Sequence, residues 1–301
     1  IELNSSQNKM LRILGVDNDA VNQGWMCDKG RYNFEYLNSD SRLKTPLKMT
    51  DNELVEIEIQ DVYSELAEFI KDRQTKVNFL LGSNLTNEDY VAFREFSKTI
   101  SQSETSFYFN DDLLYRGFFG DNIELAKIDD LNSSDAIVVW AEDLKEKLPV
   151  LYLRIRQAVK NGVKLVVFGH TNETLSDIAD VFYGKDMVSE NFEILKDLSK
   201  MKEINNLVAG KNITAIVGKS TPYQSDESVT KLFEFLNSNA NSKVLNAYSK
   251  GNTYGAFQTL ENLKGLNDFV NDISKDNTDL LFIVGADPVG RSVYSNQRKS
   301  I

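Results

Sequence analysis

Short apolar runs, each bounded by turn-forming residues, alternate with stretches of helical periodicity along most of this chain. That alternation leaves few folds open. The runs at 77–81, 136–140, 163–168, 213–217 and 280–284 are strand-sized and almost entirely apolar. A strand that is apolar on both faces needs cover on both, which parallel sheets obtain from helical crossovers. The intervening segments supply the helices. Val62, Leu66, Phe69 and Ile70 recur at helical spacing after a short alternating strand at 53–59. Thr86, followed by Asn87, Glu88 and Asp89, predicts a capped helix start ahead of 90–100. A helix is expected from about 151 to 160, with Asn161-Gly162 as its stop, and another over 225–236. The fold class is therefore α/β, built from right-handed βαβ crossovers around parallel sheets.

Ligands of such sheets gather beyond the carboxyl ends of the strands. The loops concerned are Gly82-Ser83, Ala141-Glu142-Asp143, Gly169-His170-Thr171, Gly218-Lys219-Ser220 and Gly285-Ala286-Asp287. Gly218-Lys219-Ser220-Thr221 matches the end of a phosphate-binding loop. The first glycine of that pattern would fall on Ile213, inside the strand, so the backbone cradle is missing. His170 is the sole histidine, and one His with one distant Cys makes no metal set. No residue is assigned a catalytic role. The net charge of -11 argues against non-specific nucleic-acid binding. The longest apolar runs fall far short of a bilayer span, so direct membrane insertion is not expected.

The one cysteine lies in Asn22-Gln23-Gly24-Trp25-Met26-Cys27-Asp28-Lys29-Gly30-Arg31-Tyr32, ahead of Ser41-Arg42-Leu43-Lys44-Thr45-Pro46-Leu47. A single cysteine excludes an internal disulfide framework and suits a reducing compartment. It also falls short of the four ligands an iron–sulfur cluster takes. The segment resembles the end of the iron–sulfur module that opens the molybdopterin oxidoreductase superfamily. Further matches are Gly82-Ser83 with Thr86-Asn87-Glu88, Asp135 to Asp143, Pro149 to Ala158 with Arg154 and Arg156, and Gly285-Ala286-Asp287-Pro288. Within the superfamily the pattern is most similar to the large iron–sulfur subunit of bacterial NADH-quinone oxidoreductase (respiratory complex I).

The resemblance implies a fold of the formate dehydrogenase/DMSO reductase type, preceded by a remnant of the 4Fe-4S module. It implies three parts: the end of that module over 1–47, a discontinuous α/β lobe over 48–111 and 251–301, and an inserted Rossmann-like lobe over 112–250. In the family a Cys-x-x-Cys-x-x-x-Cys run precedes this point. Cys27 would then be the fourth ligand of a 4Fe-4S cluster whose other ligands lie upstream of an internal fragment. Lys29 would sit beside that cluster, its cation favouring the reduced form; the alternative is that Lys29 and Arg31 pair with surface acids.

Two departures argue against a retained molybdopterin. No second Cys is present to hold a metal, with only Asp111 or Asp112 as substitutes, and Ala141-Glu142-Asp143-Leu144 replaces a Gly-containing loop. Losing that glycine would remove a close backbone approach to phosphate. The expected function is that of a complex I subunit supporting electron transfer from NADH to quinone, not catalytic as a fragment. Its partners would be other subunits of the peripheral arm, on the cytoplasmic side of the bacterial inner membrane. The alternative is a catalytic molybdopterin-dependent oxidoreductase such as a formate dehydrogenase.

Overall fold

The computed structural model describes residues 1–71, 75–100, 105–110, 124–141, 143–168, 170–183, 198–218, 241–248, 250–275 and 278–288. The expected helix at 225–236 and residues Asp111, Asp112, Glu142, Gly169, Lys219 and Ser220 lie outside them. The chain forms two compact units, one from 1–42 and 117–249, the other from 43–116 and 250–301.

The first unit opens with an antiparallel hairpin, β1 (Glu2–Ser6) and β2 (Lys9–Leu14). Its turn residues Gln7 and Asn8 both take positive φ, as a tight hairpin turn matched to strand twist requires. The second unit opens with a like hairpin, β3 (Leu47–Thr50) and β4 (Glu53–Glu56), turning through Asp51 and Asn52 at positive φ. The helix Ile59–Phe69 follows β4, so the strand expected at 53–59 ends early.

The second unit's sheet contains β5 (Val77–Leu81), β6 (Ser106–Phe109) and β13 (Leu280–Val284), in the order β13-β5-β6, all parallel. Central β5 is buried at every residue. Phe79 packs its ring against Phe93, Phe96, Phe107 and Phe282, with centroids 5.0 to 6.4 Å away. The helix Asn87–Ile100 covers this cluster through Tyr90 and Ile100. Thr86 caps it as the sequence predicts: its hydroxyl accepts from the Asp89 amide at 3.2 Å, and the Asp89 carboxylate accepts from the Thr86 amide at 2.8 Å.

Among the described residues the first unit's larger sheet has six strands, in the order β10-β9-β8-β11-β12-β7, with every pairing parallel. Its strands are β7 (Glu124–Leu125), β8 (Ala136–Trp140), β9 (Lys164–Phe168), β10 (Val181–Tyr183), β11 (Ile213–Gly218) and β12 (Ser242–Ala247). Central β8 is at most 2% exposed at any residue. The helix Pro149–Lys160 starts on its proline, ends at Asn161-Gly162 as expected, and packs Leu151 and Ile155 into the core. Sequence periodicity missed β7 and β10, which are too short to show a period.

On the far side of the three-stranded sheet, Asp272 accepts from the Tyr108 hydroxyl at 2.9 Å and from Lys264 Nζ at 3.0 Å. The Lys264 ammonium, then the Tyr108 hydroxyl, hold its carboxyl below the usual aspartate range. A depressed folded-state pKa adds stability that is complete above the ordinary aspartate value and lost as pH falls through the folded one. The acid limb of the second unit's stability curve is therefore expected to flatten in Asp272→Asn, measured by urea unfolding between pH 6 and about pH 3, the lower end of the carboxylate range. Phe79→Ala is expected to lower urea-unfolding stability by about 3–5 kcal/mol, the range for truncating a buried aromatic.

Candidate functional site

The winding of the larger sheet locates where a ligand would be sought. From β8 the chain steps outward through β9 to β10, then returns to the other side of β8 for β11 and β12. The direction reverses between β8 and β11, so their carboxyl ends, at Trp140-Ala141 and Val217-Gly218, form the topological switch point.

At the described residues these strand ends approach one another closely. Ala141 is 1% exposed, and a methyl group placed on Gly218 would lie 3.1 Å from the Ala141 Cβ and 2.9 Å from the Ala247 carbonyl oxygen. Gly218 thus lets three strand ends close on one another. The first polar residue described beyond Ala141 is Asp143, whose carboxylate caps the helix Leu144–Lys147 by accepting from the Lys145 and Glu146 amides.

The carboxyl ends of the smaller sheet show the same economy. A methyl group on Gly82 would overlap the Gly285 carbonyl, and the Gly82 amide donates to the Val284 carbonyl at 2.9 Å. Gly285 adopts φ +57, a backbone state that favours glycine. The Tyr90 hydroxyl donates to the Gly82 carbonyl at 2.9 Å, and burial pushes that hydroxyl up to about 12. Asn252 ties the neighbouring loops, its amide donating to the Ser83 carbonyl and its side chain to the Leu85 carbonyl, each at 2.9 Å.

The glycines that would cradle a phosphate therefore serve backbone packing at both sheets. On the face where a Cβ would stand, neither Gly82 nor Gly218 leaves room for a phosphate. Two cavities, of about 490 and 460 Å³, lie instead at the amino ends of the strands, beside Thr214 and Lys243 in the first unit and Ser106 and Lys264 in the second.

Cys27 is half-buried and has no disulfide partner. It caps the one-turn helix Asp28–Tyr32, its sulfur accepting from the Gly30 amide at 3.4 Å. Before it, the Asn22 side chain wires residues 16–24 into one compact loop. Its oxygen accepts from the Asn18 and Gly24 amides, and its nitrogen donates to the Val16 carbonyl. Lys29 is brought to the carboxyl side of β8, where its Nζ donates to the Glu146 carbonyl at 3.2 Å and lies 3.9 Å from the Glu146 carboxylate. One thiolate cannot hold an iron–sulfur cluster, and no group of three or more His, Cys, Asp or Glu is assembled among the described residues. The described residues do not fit a cluster by themselves. His170 opens the 3-10 helix His170–Leu175 after β9. Among the described residues no helix is long and apolar enough to cross a membrane.

Sequence reasoning missed Arg154 as anything more than a family marker. Its guanidinium is 2% exposed, donating to the Asp19 carbonyl at 3.2 Å and to the Asp129 carboxylate at 2.9 Å. A charged residue among the buried positions of a helix carries no periodicity signal that reveals such partners.

Gly82→Ala separates packing from cradling. It is expected to cost about 1–3 kcal/mol or more, because the added methyl forces two strand ends apart. A glycine that only made room for a ligand would tolerate the methyl with little change in chemical denaturation.

Comparison with known proteins agrees with the topology. Residues 42–292 match the molybdopterin oxidoreductase family. The alpha subunit of F420-dependent formate dehydrogenase 1 from Methanococcus maripaludis is 26% identical over 195 residues, covering 62% of this chain and 29% of that protein. NADH-quinone oxidoreductase subunit 3 from Thermus thermophilus is 28% identical over 165 residues, covering 54% of this chain and 20% of that protein. An NADH-quinone oxidoreductase subunit from Buchnera aphidicola is 26% identical over 171 residues, covering 54% and 18% respectively. The chain spans less than a third of the length of these curated relatives. With most of its length matched and parallel α/β sheets as its framework, the chain belongs to the molybdopterin oxidoreductase family.

Proposed function

We propose that this chain is part of the large iron–sulfur subunit of an NADH-quinone oxidoreductase and serves there as a scaffold on a molybdopterin-type fold without the pterin. The observation that carries the reading is the close packing at the switch point, where the Ala141 methyl and the Ala247 backbone occupy the space beside Gly218. A nucleotide-type ligand needs open backbone at that end of the sheet. The whole sequence also holds one cysteine only, leaving none in the segments that follow the first module to coordinate molybdenum or tungsten. Relatives named as NADH-quinone oxidoreductase subunits support the assignment. On this reading the partners are other subunits of the complex's peripheral arm, on the cytoplasmic side of a bacterial inner membrane. The described residues then contribute packing and subunit contacts more than chemistry.

Within that assignment residues 1–47 are the end of an iron–sulfur module. Cys27 serves as one ligand of a 4Fe-4S cluster whose other ligands come from elsewhere in the full protein, with Lys29 beside it. The cluster is a side site, off the route from NADH to quinone. A catalytic formate dehydrogenase is the second reading, favoured by the longer match to the Methanococcus maripaludis protein.

Cys27→Ala in the intact subunit tests the assignment. The expected result is loss of one tetranuclear iron–sulfur signal in electron paramagnetic resonance spectra while NADH-to-quinone turnover largely persists. An unchanged set of cluster signals would remove the ligand role. If Cys27 is a packed vestige, its replacement costs only about 1–3 kcal/mol of stability.

A further inference from the structure

The segment that carries Cys27 is held to the six-stranded unit at two points, one on each side of the thiol. Eight residues before Cys27, the Asp19 carbonyl accepts from Arg154 Nη1 at 3.2 Å. Two residues after it, Lys29 reaches the Glu146 carbonyl at 3.2 Å. The second contact is at the surface, with side chains 71% and 66% exposed, and a solvated ion pair of that kind restrains little.

The first contact is of another kind. Arg154 is nine-tenths and more buried, Asp129 neutralises it at 2.9 Å, and its Nε has no partner among the described residues. Burying a guanidinium is costly unless it is paired and hydrogen-bonded. Asp129 satisfies the charge, leaving Nη1 free to engage the Asp19 carbonyl of a loop 135 residues away in sequence. That loop is internally stiff. Its Asn18 carbonyl accepts from the Val21, Asn22 and Gln23 amides, and the Asn22 side chain closes it onto Val16 and Gly24. A hold on Asp19 is therefore transmitted along the loop to Trp25-Met26-Cys27 with little slack.

We propose that Arg154 is the positioning residue for the Cys27 segment, a buried latch that fixes where the thiol stands relative to the parallel sheet. The latch deepens the ligand reading of Cys27 but does not depend on it, since it concerns the placement of the thiol whether or not a metal binds there. Asp129 sets the latch by holding the guanidinium, and Lys29 adds a weaker outer restraint.

In the full-length protein at fixed pH, stripped of iron by chelation, iodoacetamide alkylation of Cys27 is followed by the mass of the peptide that carries it, alongside hydrogen exchange read by peptide. In Arg154→Met, which keeps an unbranched apolar stem and removes the donors, alkylation is expected to quicken at least roughly tenfold, the factor by which losing one charge-assisted hydrogen bond shifts an opening equilibrium. Amides of residues 18–25 exchange faster, while those of β8, β9 and β11 keep their protection. Should Arg154→Met fail to fold, Arg154→Lys keeps the charge but lacks the second arm of the fork, and acceleration is again expected. Alkylation unchanged to within about twofold in whichever variant folds would overturn the latch, whatever the outcome of the cluster experiment. Faster exchange in all strands together with Cys27 would also overturn it, by marking Arg154 as a general packing residue.

Discussion

The structure depends on one constraint: a central parallel strand has no solvent face. Every residue of Ala136–Trp140 is at most 2% exposed, and every residue of Val77–Leu81 is likewise buried. Each strand must be covered on both faces, and its backbone groups satisfied by neighbours on both edges. The proline-started helix over β8 and the capped helix over β5 follow from meeting that demand. So does the packing at the strand ends, where Gly82 and Gly218 allow backbones to meet that a side chain would hold apart.

The same demand bears on function. In a doubly wound sheet the carboxyl ends at the switch point are where a nucleotide-like ligand finds open backbone. Here Ala141, Gly218 and Ala247 close on one another, Asp143 turns its carboxylate back to cap the next helix, and Gly82 abuts Gly285. On the proposed reading the fold keeps the framework of its family and uses the former binding end for packing. The framework then still offers a fixed platform, on which Arg154 and Lys29 seat the Cys27 segment.

Much of the framework was legible in the sequence, for physical reasons that can be named. Apolar runs such as Ala136–Trp140 and Leu280–Val284 announce strands buried on both faces, and Thr86 with Asp89 announces a cap because the interaction is local. Strands of two or three residues, such as Glu124–Leu125 and Val181–Tyr183, were not legible, since pairing with neighbours alone defines them. The helix Ile59–Phe69 followed its periodicity, yet none of its residues is buried. Of the site, Cys27 and Lys29 stood out by motif. The role of Arg154 did not, because its partners Asp19 and Asp129 lie 135 and 25 residues away and neither marks itself as an acceptor.

On the proposed reading this branch of the molybdopterin oxidoreductase fold carries no pterin and no molybdenum or tungsten. That claim is tested most directly by elemental analysis of the full-length protein purified from cells supplied with molybdate and tungstate, together with the fluorescence of oxidised pterin released on denaturation. Molybdenum, tungsten and pterin are expected at background. One molybdenum or tungsten per chain, with pterin in matching amount, would contradict the claim and return the protein to the catalytic members of the family.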